Sequence, residues 1–498
     1  MEPAEVLSPG SLLFLEPKTS CCIIAMMGCK TSVDPAILKL GLNQTLLHHP
    51  RFSSKLLVIN GVKKKWVKTQ VDLDNHVVVP VVDTEMESPA LFIEDYISHL
   101  TTIPIDFSKP LWELHILNLK TPEAEAVAIF RIHHSVGDGM SLISILLACC
   151  RKSADPGALP TLPTQKQTDD RGNRGKIVWL VLAVWSVLRL MWNTLVDLSL
   201  FMATILFMKD TKTPVKGLSG VEHNPKRIVH RTVSLDDIKL VKNVMDMTVN
   251  DVILGVTQAG LSRYLNRKYG EVDKSKSLPK NIRLRATVLV NIRKEAGIQV
   301  IIPISFPLDI RNFFCNEIES AIINWCENGQ AMADMMKKKS KAKWGNKFGF
   351  ICVPFNIALQ NDPLDYLRQA KAIVHRKKLS LQALCTYLTN NCVVRLFGSK
   401  VSACLAYRVF SNTTMSISNV VGPVEEISFF GHPIAFIAPT VFGHPQALTI
   451  HFQSYVDKMS IVVAVDPSLI SDPHLLCDDF QESLKLFKDA IVINDGVC

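Results

Sequence analysis

Charged residues are scarce, at 20% of 498 positions, while hydrophobic residues make up 48%. That balance excludes a globally disordered chain. Glycine (23) and proline (26) are too few for a collagen-like or linker-dominated chain. Long apolar runs are missing as well: a polytopic membrane protein needs several of about 20 residues, and residues 177–208 are the single candidate. No basic segment opens the chain. Met1 is followed by Glu2 and Glu5, and Pro9 and Pro17 interrupt the apolar stretch, so no secretory signal peptide is expected. None of the 13 cysteines forms a C-x-x-C pair, and Cys21, Cys22, Cys149 and Cys150 sit inside apolar runs. This pattern predicts reduced, buried thiols in a cytosol-facing protein. Zinc-protease H-E-x-x-H, the G-x-S-x-G elbow, the P-loop and the dinucleotide G-x-G-x-x-G are all absent. No metal site is expected. The short basic clusters at 63–65, 337–339 and 376–378 come without a nucleic-acid fingerprint, so no nucleic-acid partner is expected. The net charge of +9 is mild and suits an anionic ligand or an anionic membrane surface.

What is present is a chain too long for one core, since cores stop growing at roughly 250–300 residues. Strands are predicted at 21–27, 112–119 and 124–132, and helices at 35–48 and 139–151, the latter from the spacing of Met140, Ile143, Leu146 and Leu147. Residues 153–176, with Pro156, Gly157, Pro160, Pro163, Gly172 and Gly175, form a linker. Beyond it, Ser234 is a candidate N-cap, a helix spans 251–264, a strand spans 285–290, and 448–456 with 459–465 form a hairpin. Leu476, Phe480, Leu484, Phe487 and Ile491 put one apolar face on a final helix at 473–491. The expected organisation is an N-terminal domain at 1–152, a linker with an apolar helix at 153–215, and a C-terminal domain at 216–498. Both domains are α/β with mixed sheets.

Residues 177–208 would make a helix of roughly 48 Å. Ser186, Arg189, Asn193 and Asp197 recur every three or four residues and draw a narrow polar stripe on an otherwise apolar cylinder. An amphipathic helix in the membrane interface fits. A single transmembrane span and a helix buried in a soluble core are the alternatives.

The chemistry-bearing segment is Ile132-His133-His134-Ser135-Val136-Gly137-Asp138-Gly139. A strand delivers two histidines into a short loop that opens a helix. A neutral imidazole suits the deprotonation of an alcohol, because its pKa lies near neutrality. Asp138 can fix the loop through backbone N–H groups, and Gly139 allows a tight turn or close backbone approach. The histidines can equally be satisfied structural residues. A base with no protein nucleophile points to direct transfer, with the acceptor as the nucleophile.

His133-His134-x-x-x-Asp138-Gly139 resembles the HHxxxDG signature of the CoA-dependent acyltransferase superfamily. Leu7-Ser8-Pro9, Pro110-Leu111-Trp112-Glu113, Asn250-Asp251-Val252, Leu289-Val290-Asn291-Ile292-Arg293, Trp344-Gly345-Asn346 and Ser418-Asn419-Val420-Val421-Gly422-Pro423 are similar to motifs of the plant-type wax ester synthase/diacylglycerol acyltransferase family. The likeness runs from near residue 7 to near residue 490. It implies two chloramphenicol-acetyltransferase-like α/β domains with a tunnel between them. The implied activity is transfer of a fatty acyl group from acyl-CoA to a long-chain fatty alcohol or to diacylglycerol, with acyl-CoA as co-substrate and no cofactor. On the same resemblance His134 is the general base and Asp138 the loop-organising carboxylate. His133 and Gly139 support them, Asn250 and Asp251 shape the site from the second half, and Asn419 and Gly422 lie near the domain seam. The implied location is the cytosolic face of the endoplasmic reticulum membrane, with the plasma membrane as the alternative. If both halves build one site they lie on one side of the membrane, which favours an interfacial helix at 177–208.

Residues 300–330 match nothing in the resemblance. They are either a tolerated surface loop or sequence foreign to the functional protein. A catalytically impaired lipid-binding protein and an acyltransferase for a soluble acceptor are the rival functions.

Overall fold

A computed structural model describes residues 5–59, 63–83, 85–163, 176–272, 278–293 and 344–494. Residues 300–330 lie outside this set.

Two sheets organise the described residues. The first has seven strands in the order β5-β6-β7-β2-β14-β13-β8. Its centre is β2 (Cys22–Cys29), antiparallel to β7 (Ala126–His133) on one side and to β14 (His432–Phe442) on the other. β6 (Trp112–Leu117) and β5 (Val77–Val78) extend one edge. β13 (Ile427–Phe429) and β8 (Cys150–Lys152) extend the other. The second sheet has six strands in the order β11-β10-β12-β15-β16-β9. β10 (Arg283–Asn291), β12 (Met415–Val420) and β15 (Leu448–Tyr455) run parallel at its middle. β11 (Phe348–Asn356) is antiparallel to β10, β16 (Lys458–Val465) to β15, and β9 (Arg227–Ser234) to β16. A small sheet of β1 (Glu5–Val6), β4 (Lys63–Lys68) and β3 (Ser54–Ile59) stands apart.

The division at 152 and 216 is not clean. Two strands of the second half, β13 and β14, complete the first sheet, so the chain leaves the second sheet after β12 and returns to it at β15, which ties the halves together. β14 is apolar on both faces, as a central strand covered on both sides requires. Sequence periodicity marks such a run as a strand but not its partner.

Each sheet has its own apolar core, and a third cluster lies between them. It joins Leu13 and Phe14 of α1 (Pro9–Phe14) and Cys21 to Phe348, Phe350, Ala403, Ala406 and Phe410. The predicted face of the last helix, α11 (Pro473–Asn494), is buried at all five positions. Each such side chain contributes about 1.5–3 kcal/mol on full burial.

The apolar segment is one continuous helix, α5 (Lys176–Leu206). It is no core helix: Trp185 is 64% exposed and Trp192 66%. No described helix is long and apolar enough to cross a membrane. The polar stripe faces inward in part. Asn193 Nδ2 donates to Leu379 O at 3.1 Å. Buried Asp197 pairs with Arg376 (2.7 Å) and Lys377 (3.0 Å) of α8 (Leu364–Lys378). Ser186 bonds within its own helix and Arg189 is exposed. α5 is thus amphipathic in an inverted sense, with polar anchors on the protein side and apolar side chains outward.

Candidate active site

The base of the site is the turn after β7. His134 N donates to Cys21 O at 3.0 Å, which pins the strand end to the neighbouring segment. His133 has both ring nitrogens engaged, Nδ1 with Ser135 Oγ (2.7 Å) and Nε2 with Ser20 Oγ (3.1 Å). Burial pushes its pKa down to about 3, so it stays neutral. It has no free lone pair for catalysis. His134 differs: Nδ1 faces Asn346 Oδ1 at 3.2 Å, while Nε2 has no hydrogen-bond partner among the described residues. Its ring lies 4.0 Å from that of Phe14 and 6.4 Å from that of Phe348. Burial lowers its pKa, against smaller raising effects of its own backbone carbonyl, Asp138 and Asn346.

Asp138 is the N-cap of α4 (Gly139–Cys149), its Oδ1 accepting from Ser141 N at 3.0 Å. Its Oδ2 accepts from Arg293 Nη1 (2.6 Å) and Lys347 N (3.0 Å). Three donors on one carboxylate leave it no role as a proton carrier; it clamps the loop to the second half. Arg293 also reaches Ser141 Oγ (3.1 Å) and Gly345 O, and Trp344 Nε1 donates to Val136 O (2.8 Å). The expected steric need for Gly139 is absent. A Cβ there would meet only Val420 Cγ2 at 3.7 Å, an ordinary contact, because the residue opens a helix rather than a tight turn.

Asn250 and Asn419 are brought together, Asn419 Nδ2 donating to Asn250 Oδ1 at 2.8 Å. Buried Asp251 accepts from Thr248 N at 2.7 Å and thereby shapes the start of α7 (Val249–Val272). None of these three makes a hydrogen bond to His134 among the described residues. Gly422 packs against the backbone of Ser454 beside them. Sequence reasoning missed Arg293, Asn346 and Ser141 as members of the site. Arg293 and Asn346 stood in motifs it had noted, but nothing local ties those motifs to His134. It also missed His444 and His451. Burial, reinforced by the charge of Lys226 at His444 and by His444 at His451, pushes these to about 4 and about 3, with His134 a smaller lowering influence on both. His444 stacks on Phe410, and its Nδ1 has no hydrogen-bond partner among the described residues.

Two mixed sheets, the first completed by two strands from the second half, with a histidine turn clamped at their seam, define the class: a two-domain acyltransferase-type fold. The fold is that of a solved wax ester synthase/diacylglycerol acyltransferase from Marinobacter aquaeolei VT8, at 16% identity, a TM-score of 0.58, and coverage of 99% of this chain and 100% of that one. The first condensation domain of the calcium-dependent antibiotic synthetase, in complex with a substrate analogue, is similar too, at 11% identity, a TM-score of 0.55 and 98% coverage of both chains.

Residues 41–253 match the wax ester synthase/diacylglycerol acyltransferase catalytic domain and residues 344–488 the WS/DGAT C-terminal domain. Wax ester synthase/diacylglycerol acyltransferase 11 of Arabidopsis thaliana is 50% identical over 98% of this chain and 95% of its own length. Wax ester synthase/diacylglycerol acyltransferase 4 of the same plant is 48% identical over 100% of this chain and 92% of its own. The chain belongs to the wax ester synthase/diacylglycerol acyltransferase family. Residues 300–330 fall between the two matched domains.

Proposed function

We propose that this enzyme moves a fatty acyl group from acyl-CoA to a long-chain fatty alcohol, giving a wax ester, and to diacylglycerol, giving triacylglycerol. The observation that carries the reading is a neutral, buried His134 imidazole with an open Nε2, at a seam lined by Phe14 and Phe348. His134 takes the hydroxyl proton as the alkoxide oxygen attacks the thioester carbonyl carbon. The tetrahedral oxyanion collapses, the C–S bond breaks, and the imidazolium returns its proton to the CoA thiolate. Asp138, Arg293 and the backbone around Gly345 hold the loop while charge moves. Support for lipid acceptors comes from the apolar side chains around the imidazole and from the names of the close plant relatives.

The same reading places the protein on a membrane, at the cytosolic face of the endoplasmic reticulum. The support is the outward apolar face of α5 and a neighbouring one on α9 (Gln382–Phe397), where Leu388, Leu396 and Phe397 are exposed. Between residues 382 and 412 there is no aspartate or glutamate, but Arg395, Lys400 and Arg408 are present. An apolar face with a basic border fits anionic lipid.

The test is a His134→Ala protein, matched in expression to wild type and assayed with palmitoyl-CoA and either hexadecanol or diacylglycerol. Ester formation is expected to fall at least 100-fold. Near-normal ester formation would defeat the assignment.

A further inference from the structure

We infer that Asn346, contributed by the second half of the chain, is the positioning residue that sets the tautomer of His134, and that α1 exists to hold it there. The inference rests on the reading of His134 as the base.

The carboxamide of Asn346 is buried and has its orientation decided by its neighbours. Nδ2 donates to His134 O at 2.8 Å and to Ser11 Oγ at 3.1 Å. Turned the other way, Oδ1 would face the His134 carbonyl at that short distance, acceptor against acceptor with no hydrogen between. With Nδ2 so committed, Oδ1 is the group facing His134 Nδ1 at 3.2 Å. An amide oxygen can only accept, so Nδ1 carries the ring proton. Nε2 is therefore the lone-pair nitrogen, and it is the one without a hydrogen-bond partner among the described residues. A base oriented by a third group is the general arrangement of activated hydroxyls. Here that third group is a neutral amide.

α1 supplies the grip. Ser8 caps it, its Oγ accepting from Ser11 N at 3.2 Å and bonding Ser11 Oγ at 3.0 Å. Ser11, buried, then meets Asn346 Nδ2. Gly10 allows the approach: a Cβ there would lie 2.8 Å from both Cβ and O of Asn346. One turn on, Phe14 lies against the His134 ring. Leu7-Ser8-Pro9 and Trp344-Gly345-Asn346, two motifs with no chemistry of their own, thus meet behind the imidazole. A neutral amide fixes the tautomer without the attraction that a carboxylate would exert on a protonated ring. The buried histidine therefore remains a free base near neutrality.

The experiment uses the full-length chain with palmitoyl-CoA and hexadecanol, and records kcat and KM against pH. Asn346→Ala should lower kcat about 100-fold with KM for both substrates unchanged, as a misplaced base does. Asn346→Asp keeps an acceptor toward Nδ1 but loses both Nδ2 donations and turns an oxygen toward the His134 carbonyl, so its kcat should fall as well. It should also move the acid limb of the profile upward by about one pH unit or more, because an anion beside the imidazole favours its protonated form. Ser11→Ala, which removes one hydroxyl from the α1 grip, should lower kcat in the same direction by less, and covers the case of an unstable Asn346 variant. A merely structural Asn346 would lower the folded fraction and leave the pH profile of the active remainder in place, and that result overturns the proposal. So does an Asn346→Ala protein with wild-type kcat. Histidine-selective isotope labelling, with a His134→Gln protein to assign the signal, reads the tautomer directly. Nδ1–H in the wild type is expected. Nε2–H overturns the proposal whether or not any alcohol is acylated, whereas full activity of His134→Ala overturns only the reading of the base.

Discussion

At the scale of single residues the site depends on two buried charges meeting from different halves. Asp138 both caps α4 and pairs with Arg293, whose guanidinium is almost wholly buried. Asp138→Ala removes a cap worth about 1 kcal/mol and breaks a buried ion pair, which costs about 3–5 kcal/mol. Denaturant titration should show a loss within the sum of those ranges. Asp138→Asn retains the cap and should lose less. Equal losses for both variants would mean that the cap adds nothing, and an Asp138→Asn protein as stable as wild type would mean that the ion pair adds nothing. His134 was legible in the sequence because its neighbours within six residues form a recognisable pattern. Arg293 and Asn346 were not, since they reach the loop from 155 and 212 positions away. No period or spacing links positions so distant.

At the scale of elements, α5 is the informative case. Its stripe of Ser186, Arg189, Asn193 and Asp197 was visible in the sequence, but which side met the protein was not. Asn193 and Asp197 turn inward because α8 and the turn after it offer a carbonyl and two cations. The apolar side is left outward by default. Trp185→Glu with Trp192→Glu should abolish sedimentation with vesicles of phosphatidylcholine and phosphatidylserine while leaving the melting temperature within 2–3 °C of wild type, since exposed positions pack on little. Unchanged sedimentation would remove α5 from the docking surface. Asp197→Leu should act oppositely, lowering stability by about 3–5 kcal/mol through two unpaired cations, though Arg376 is partly exposed and softens this.

At the scale of the whole molecule, four buried histidines bind protons poorly in the folded state. Burial lowers His49, His133 and His451 to about 3 and His444 to about 4. Unfolded, each would take up a proton near pH 6.5. Above that pH both states are neutral and no stability is lost. As pH falls from 6.5 towards these folded values, the unfolded chain binds more protons, and each histidine removes about 1.4 kcal/mol per pH unit. Mild acid should therefore unfold the protein: the urea midpoint should drop steeply between pH 6.5 and 5 and be flat from pH 7 to 8. A midpoint unchanged at pH 5 would show that these sites take up protons while folded.

The sequence determined the amphipathic faces, the cap at Asp138, the histidine turn and the family, because each is written in residues a few positions apart or in an ordered series of such motifs. Tertiary structure decided that β13 and β14 leave the second half to finish the first sheet, and that α5 turns its polar anchors inward. It also decided that an arginine and an asparagine from beyond residue 290 close on the histidine loop. The reason is physical. Periodicity and capping are local energies, whereas strand partnership and the pairing of buried polar groups are settled only when the whole core excludes water and every buried donor must find an acceptor.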